Sequence, residues 1–250
     1  MTTSVVEFRR YRLRPGARER LIDLFDREFV ETQEAVGMKV IGQFRDLDDV
    51  DSFAWLRGFS DMPSRAQALA AFYGGPVWAK HRDEANGTMI NSDNVLLLRP
   101  AFPDGGFALP ERRDAPREHE MPTGLVIATV CHVAPRTEEE FADLFARLVS
   151  PVLVAASAKI LASFVTERSP NTFPRLPVRE GETVFVWFSD FGSDPAYEEH
   201  LAALARSKAW TEEAEPEMDR RIWRRNEVLR LVPTARSLLR GSPRQGRMSS

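Results

Sequence analysis

Glu7, Arg9 and Tyr11 stand at alternate positions of "VVEFRRYRLRPG", residues 5–16. Side chains on a strand point to opposite faces in turn, so these three share one side. A guanidinium there could hold a carboxylate or phenolate and stabilise charge developing on an enolate. The phenol of Tyr11 could donate a hydrogen bond or move a proton. Such a set suits one wall of a pocket. It suits a sealed structural network equally well, because a buried charge must be paired and Glu7 with Arg9 makes a pair. Alternation alone leaves open which face meets helices and which meets a lumen.

Other groups with chemical reach are few. Trp55 and Arg57 lie two apart in "SFAWLRGF", residues 52–59, and so share a strand face. Trp187 occupies a similar strand later in the chain, and Trp78 and Trp210 lie in helical stretches. Their rings would serve as core or as stacking surfaces for a flat ligand. His81 follows Trp78 by one helical turn and could carry a proton. The expected catalytic set is therefore Arg9, Tyr11 and His81, and the expected binding set is Glu7, Trp55, Arg57, Trp78 and Trp187. His119, His132 and His200 read as surface or satisfied core histidines. No Walker loop, GxGxxG, HExxH or GxSxG occurs. Cys131 is the single cysteine, which excludes an intrachain disulfide and a thiolate zinc site.

The elements that must position these residues come in two copies. A shift of 120 places Pro15 on Pro135, Phe25 on Phe145, Lys39 on Lys159 and Phe44 on Phe164. A shift of 132 then places Phe53 on Phe185, Trp55 on Trp187, Leu69 on Leu201 and Trp78 on Trp210. Collinear matches broken by one 12-residue gap identify a duplicated unit. Strand-like alternation at 4–13, 38–45, 52–59 and 94–100 recurs at 124–133, 158–165, 183–191 and 227–233. Between them run helical stripes such as Phe141, Leu144, Phe145 and Leu148, opened by a predicted capping box of Thr137 and Glu140. Helices are also expected near Pro63 and Pro195. The order is βαββαβ twice, the ferredoxin-like unit. A four-stranded sheet with helices on one face must hide the other. The expected fold is thus α+β: two tandem units packed sheet to sheet as a barrel with helices outside. Residues 1–100 form the first half, 101–123 a linker long enough for one half to swing about the other, 124–234 the second half, and 235–250 a disordered basic tail. The proline-rich insertion at 165–183 could cover a pocket mouth or grip a partner subunit.

The stretches "VEFRRYRLRPG", "LIDLFDREF", "FAWLRGF", "GGPVWAKHRDE" and "NVLLLRPA" together resemble the NIPSNAP family of the dimeric α+β barrel superfamily. Glu7, Arg9, Tyr11, Pro15, Gly16, Trp55, Trp78, Arg99 and Pro100 carry the resemblance, which covers residues 5–101. In the second half Ile127, Thr129 and Cys131 replace the polar trio. The resemblance implies the barrel fold and a small-molecule ligand. Relatives in the superfamily include cofactor-free monooxygenases and cyclases, so an aromatic or polyketide-like metabolite is the expected substrate class. A non-catalytic binding or scaffolding role is the alternative. Haem ligated by His81 is a further alternative, since haem-binding relatives take a ligand from the equivalent helix. No cofactor is otherwise expected.

Bulk properties narrow the partners. The 250 residues carry a net charge of -3, with no global basic field for nucleic acid or an anionic membrane surface. Arginine outnumbers lysine heavily, as a GC-rich bacterial genome would impose. No apolar run approaches a membrane span and no leader is evident, so a cytoplasmic compartment is expected. Sheet edges could still pair between chains, which leaves a homodimer open.

Overall fold

The computed structural model describes residues 3–111, 113 and 124–241. The first half runs β1 (Val5–Leu13), a helical stretch at 18–34, β2 (Lys39–Asp46), β3 (Ser52–Phe59), helices Met62–Tyr73 and Pro76–Thr88, and β4 (Met89–Pro100). The second runs β5 (Leu125–Val133), a helical stretch at 138–155, β6 (Lys159–Thr166), β7 (Val184–Phe191), helix Asp194–Arg206, a helical stretch at 209–219, and β8 (Ile222–Pro233). This is the βαββαβ order twice.

Local chemistry repeats with the elements. Asp61 and Ser193, 132 residues apart, each accept a hydrogen bond from the backbone N–H three residues on, at 2.7 and 3.3 Å, with Pro63 and Pro195 following in the first turn. Each first helix widens into a π-helical turn at the same place, Phe25–Phe29 and Phe145–Val149. After β1 the chain reverses through Gly16 at φ +72°, and Arg136 takes the same left-handed conformation in the second copy. The capping box at Thr137 does not form. Its hydroxyl turns back to the carbonyl of Ala134 at 2.8 Å, which leaves nothing to cap the helix.

The eight strands close into one antiparallel barrel in the order β1-β3-β2-β8-β5-β7-β6-β4. Two seams join the halves. Phe44 pairs with Pro233 and Asp46 with Leu231 at one, and Leu98 with Thr166 and Pro100 with Phe164 at the other. The seams correct the expectation of a swinging linker, because the halves share one hydrogen-bonded wall. They also consume the sheet edges on which interchain pairing was expected to draw.

The centre of the lumen is filled. Val6, Phe8, Leu56, Phe164, Val186 and Phe188 meet at its centre, with Phe8 and Phe188 edge to face at 5.4 Å. Phe107, from the segment expected to be linker, plugs one end against Phe164 and Phe188, both at 5.1 Å. The other end holds a polar cluster, where Glu227 receives Arg10 at 2.6 Å and faces His132 Nε2 at 2.7 Å. The chain also stays packed beyond β8: Ser237, Leu238 and Leu239 are buried, so the solvated tail expected from 235 does not begin there. Leu239 packs into the lumen cluster with Ile41, whose carbonyl accepts from the N–H of Leu239 at 2.7 Å. Residues 242–250 lie outside the described residues. Among those described, no helix is long and apolar enough to cross a membrane.

A shared lumen predicts shared stability. Phe188→Ala should cost about 3–5 kcal/mol. Urea unfolding followed by tryptophan fluorescence and by far-UV circular dichroism should give one coincident transition, whereas separated transitions would mean that the halves fold independently.

Candidate functional site

The face of β1 bearing Glu7, Arg9 and Tyr11 meets the helices, not the lumen. Register explains the grouping: Glu7 lies opposite Arg57 and Arg9 opposite Trp55. Glu7 is fully buried and collects three guanidiniums. Arg9 Nη1 and Arg57 Nε donate to its Oε2, each at 2.7 Å, and Arg65 Nε donates to Oε1 at 2.6 Å. Other donors of the network find further partners, while Arg65 Nη2 and Trp55 Nε1 are buried without a hydrogen bond. Arg9 Nε reaches Tyr11 Oη at 2.9 Å, and Arg57 Nη1 reaches Gln33 Oε1 at 3.2 Å. Arg65 Nη1 reaches Asn171 Oδ1 at 3.0 Å and Thr172 Oγ1 at 3.1 Å, both from the 165–183 insertion. The Trp55 ring lies under two of the cations, 5.6 Å from Arg9 and 5.0 Å from Arg57. Burial alone would raise the pKa of Glu7, but Arg57, Arg9 and Arg65 together outweigh it and hold the carboxyl well below the usual range. The four principal cavities do not reach Glu7, Arg9, Trp55, Arg57 or Arg65. These side chains fill their own space.

The matching layer of the second half is built differently. Adding 120 to positions in the first strands and helix, and 132 beyond, gives counterparts for the network and for Met38, whose Sδ lies 3.8 Å from Arg57 Nη1. Tyr11 becomes Cys131, outside the cavity that the others line. Glu7 becomes Ile127, Arg9 Thr129, Gln33 Leu153, Met38 Ala158, Arg57 Ser189 and Arg65 Tyr197, while Trp55 stays tryptophan as Trp187. All seven counterparts line one cavity of about 150 Å³. Shortening Arg9, Met38 and Arg57 to Thr129, Ala158 and Ser189 removes the side chains that would otherwise fill it. Its rim carries Leu201 and Val228, 40% and 48% exposed, so the cavity reaches the surface. No charged side chain lines it among the described residues. A void of about 150 Å³ with apolar walls is large enough to take a single benzene-sized ring.

The structure divides the predicted site residues. Glu7, Arg9, Tyr11, Trp55 and Arg57 come together in the first-half network. Trp78 packs beside it on Tyr73 and Phe29, at 4.8 and 5.7 Å. Trp187 stands apart, in the second-half cavity. His81 joins neither group, because its ring nitrogens face the carboxylates of Glu28 and Glu84 at 3.5 and 3.7 Å. None of the four cavities above touches His81. Among the described residues, no group of three or more His, Cys, Asp or Glu is placed to hold a metal. The insertion grips the first half of its own chain, with Phe173 stacked on Tyr73 at 6.0 Å. His200 is one of several cavity residues, with Thr129, Ser189, Tyr197 and Asn226, that sequence reasoning placed in no site. Its signal was a mismatch between the copies, since Ala68 stands at the equivalent position.

Removing the shared anion tests the network. Glu7→Gln should cost about 3–5 kcal/mol by stranding three buried cations. Unfolded, Glu7 titrates near 4.5, and folded it titrates lower. Its stabilisation is therefore complete above that pH and falls away as acid approaches the folded value. Chemical denaturation across pH 3–6 should show this acid-side loss in the parent protein and a flatter limb in the variant.

Residues 6–102 match the NIPSNAP family model. Three solved structures share the whole architecture. One is a candidate monooxygenase from Lactobacillus acidophilus NCFM, with TM-score 0.57, 14% identity and coverage of 93% of this chain and 94% of that one. Another, from Fusobacterium nucleatum, is also designated a candidate monooxygenase, with TM-score 0.58, 11% identity and 93% of each chain covered. An anthrone oxidase-like protein aligns with TM-score 0.57 and 14% identity over 96% of this chain and 97% of that one. At such identities the likeness is one of fold. No curated protein sequence matches significantly. The two halves therefore build one closed α+β barrel of the same fold as these structures, and residues 6–102 are similar to the NIPSNAP family.

Proposed function

We propose that this protein seats one ring of a small neutral aromatic or polyketide-like metabolite between the sheet and helices of its second half. The observation that carries this reading is the cavity standing where the first half holds its charge network. Trp187 and Trp210 offer flat apolar walls. Thr129, Ser189, Tyr197, His200 and Asn226 supply polar contacts among them. An uncharged lining favours an uncharged ligand, because an ion would lose its hydration without gaining a counter-charge. Cofactor-free oxygenation, cyclisation or isomerisation of such a molecule asks for a shaped, water-poor cavity and a proton acceptor. The structural likeness to monooxygenase-like barrels supports this reaction class. In the same proposal, Arg9, Tyr11, Glu7 and Arg57 fix the first sheet to its helices and take no ligand.

A panel of neutral single-ring compounds, surveyed by ligand-observed NMR, should include binders in the millimolar range or tighter. Ala158→Met restores the residue type found at Met38 and should weaken binding at least tenfold while leaving the melting temperature within a few degrees. Unchanged binding in that variant would place the ligand elsewhere. Arg9→Lys should leave ligand affinity unaltered.

A further inference from the structure

Two side chains that line the second-half cavity, His200 and Asn226, carry a hydrogen-bonding atom that no hydrogen bond from another described residue reaches. His200 lies on helix Asp194–Arg206 and is 5% exposed. Its Nδ1 sits 2.7 Å from the carbonyl oxygen of Ala156. A carbonyl only accepts, so Nδ1 must carry the proton. Burial pushes the imidazole below its ordinary pKa of 6.5, against the opposing effect of the Ala156 bond, so the ring is neutral near pH 7. A neutral ring protonated on Nδ1 presents a lone pair on Nε2. No hydrogen bond from another described residue reaches that nitrogen, which is not fully sealed from solvent. Phe191 and Tyr197 hold the ring in place, with centroids at 4.9 and 6.2 Å. A second acceptor lines the same cavity: Asn226 Oδ1 is buried without a hydrogen bond.

Two unfilled acceptors in an uncharged, single-ring space define the complement. The seated ring must be neutral, flat and about the size of benzene, and it must bring a hydroxyl donor. We infer that the second-half cavity is a binding site for phenol- or enol-type rings, with the hydroxyl donating to Nε2 of His200. This rests on the proposed ligand role of the cavity and specifies its substrate class. The neighbouring layer could not serve in this way, because Ala68 stands at the position of His200 and the Glu7 network fills the space.

Phenol and toluene separate the inference from the reading beneath it. They have nearly the same shape, but phenol must surrender a hydrogen bond to water on entering an apolar void. A cavity without a usable acceptor therefore prefers toluene, and one that satisfies the hydroxyl reverses the order. Both compounds would be titrated calorimetrically into the full chain, with the His200 ring nitrogens followed by long-range ¹H–¹⁵N NMR. The expected result is phenol binding at least tenfold more tightly than toluene, with the Nε2 resonance moving on phenol addition and Nδ1 staying protonated. In His200→Phe, checked for folding by circular dichroism, the preference should invert. Equal binding, a toluene preference in the parent protein, or a phenol preference that survives in His200→Phe would overturn the assignment to His200 while leaving the cavity a ligand site. Binding of neither compound would overturn the cavity itself.

Discussion

A four-stranded sheet covered by helices on one side leaves an apolar face that water cannot be allowed to reach. In this chain each half supplies the cover for the other, and the two faces close through backbone pairing along both seams. The closure is complete because aromatic side chains occupy the space between. Phe8, Phe164 and Phe188 come from three different strands and meet Phe107 from the connecting segment. This packing fills the centre of the lumen, and a cavity of about 1280 Å³ remains beside Val6, Ile41, Phe107 and Phe164.

The two layers where a sheet meets its own helices began as copies and now solve the same packing problem by opposite means. The first uses charge. Its guanidiniums make sense only as a set around Glu7, since each would be stranded without the shared carboxylate. The second abandons the set together: Ile127 stands for Glu7, Thr129 for Arg9 and Ser189 for Arg57. Losing the carboxylate alone would have left uncompensated cations, so the coordinated replacement follows from the cost of a buried unpaired charge. What remains is volume. Trp187 keeps one wall in place, and the helix that offers Arg65 to the network in the first half offers Tyr197 and His200 to the cavity in the second.

The halves are also tied outside the barrel. The insertion of the second half reaches the first-half helices, where Asn171 and Thr172 accept from Arg65 and Phe173 stacks on Tyr73. Arg65 thus links the buried anion of one half to a loop of the other. A loop with several prolines has less conformational freedom to lose on docking, which suits it to such a fixed contact. The duplicated architecture is one closed barrel with one filled layer and one layer with room.

Much of this was legible in the residues. The offsets of 120 and 132 revealed the duplication, and strand alternation put Glu7, Arg9 and Tyr11 on one face and Trp55 with Arg57 on another that proves to adjoin it. Matched prolines located the helix starts, and the NIPSNAP resemblance of the first half agrees with the family match over residues 6–102. The sequence could not say which sheet face meets the helices, because period-two alternation is the same on both sides of a strand and a buried charge satisfied by partners looks like an exposed one. Nor could it say that the segment after Pro100 and the stretch after Pro233 are packed, since Phe107 and Leu239 acquire their burial only from the barrel lumen they pack against. The cavity was least visible of all. It exists as a difference between two copies, where several shortened side chains, far apart in the chain, converge on one point, and a volume of that kind is a property of three-dimensional packing that no single stretch of residues encodes.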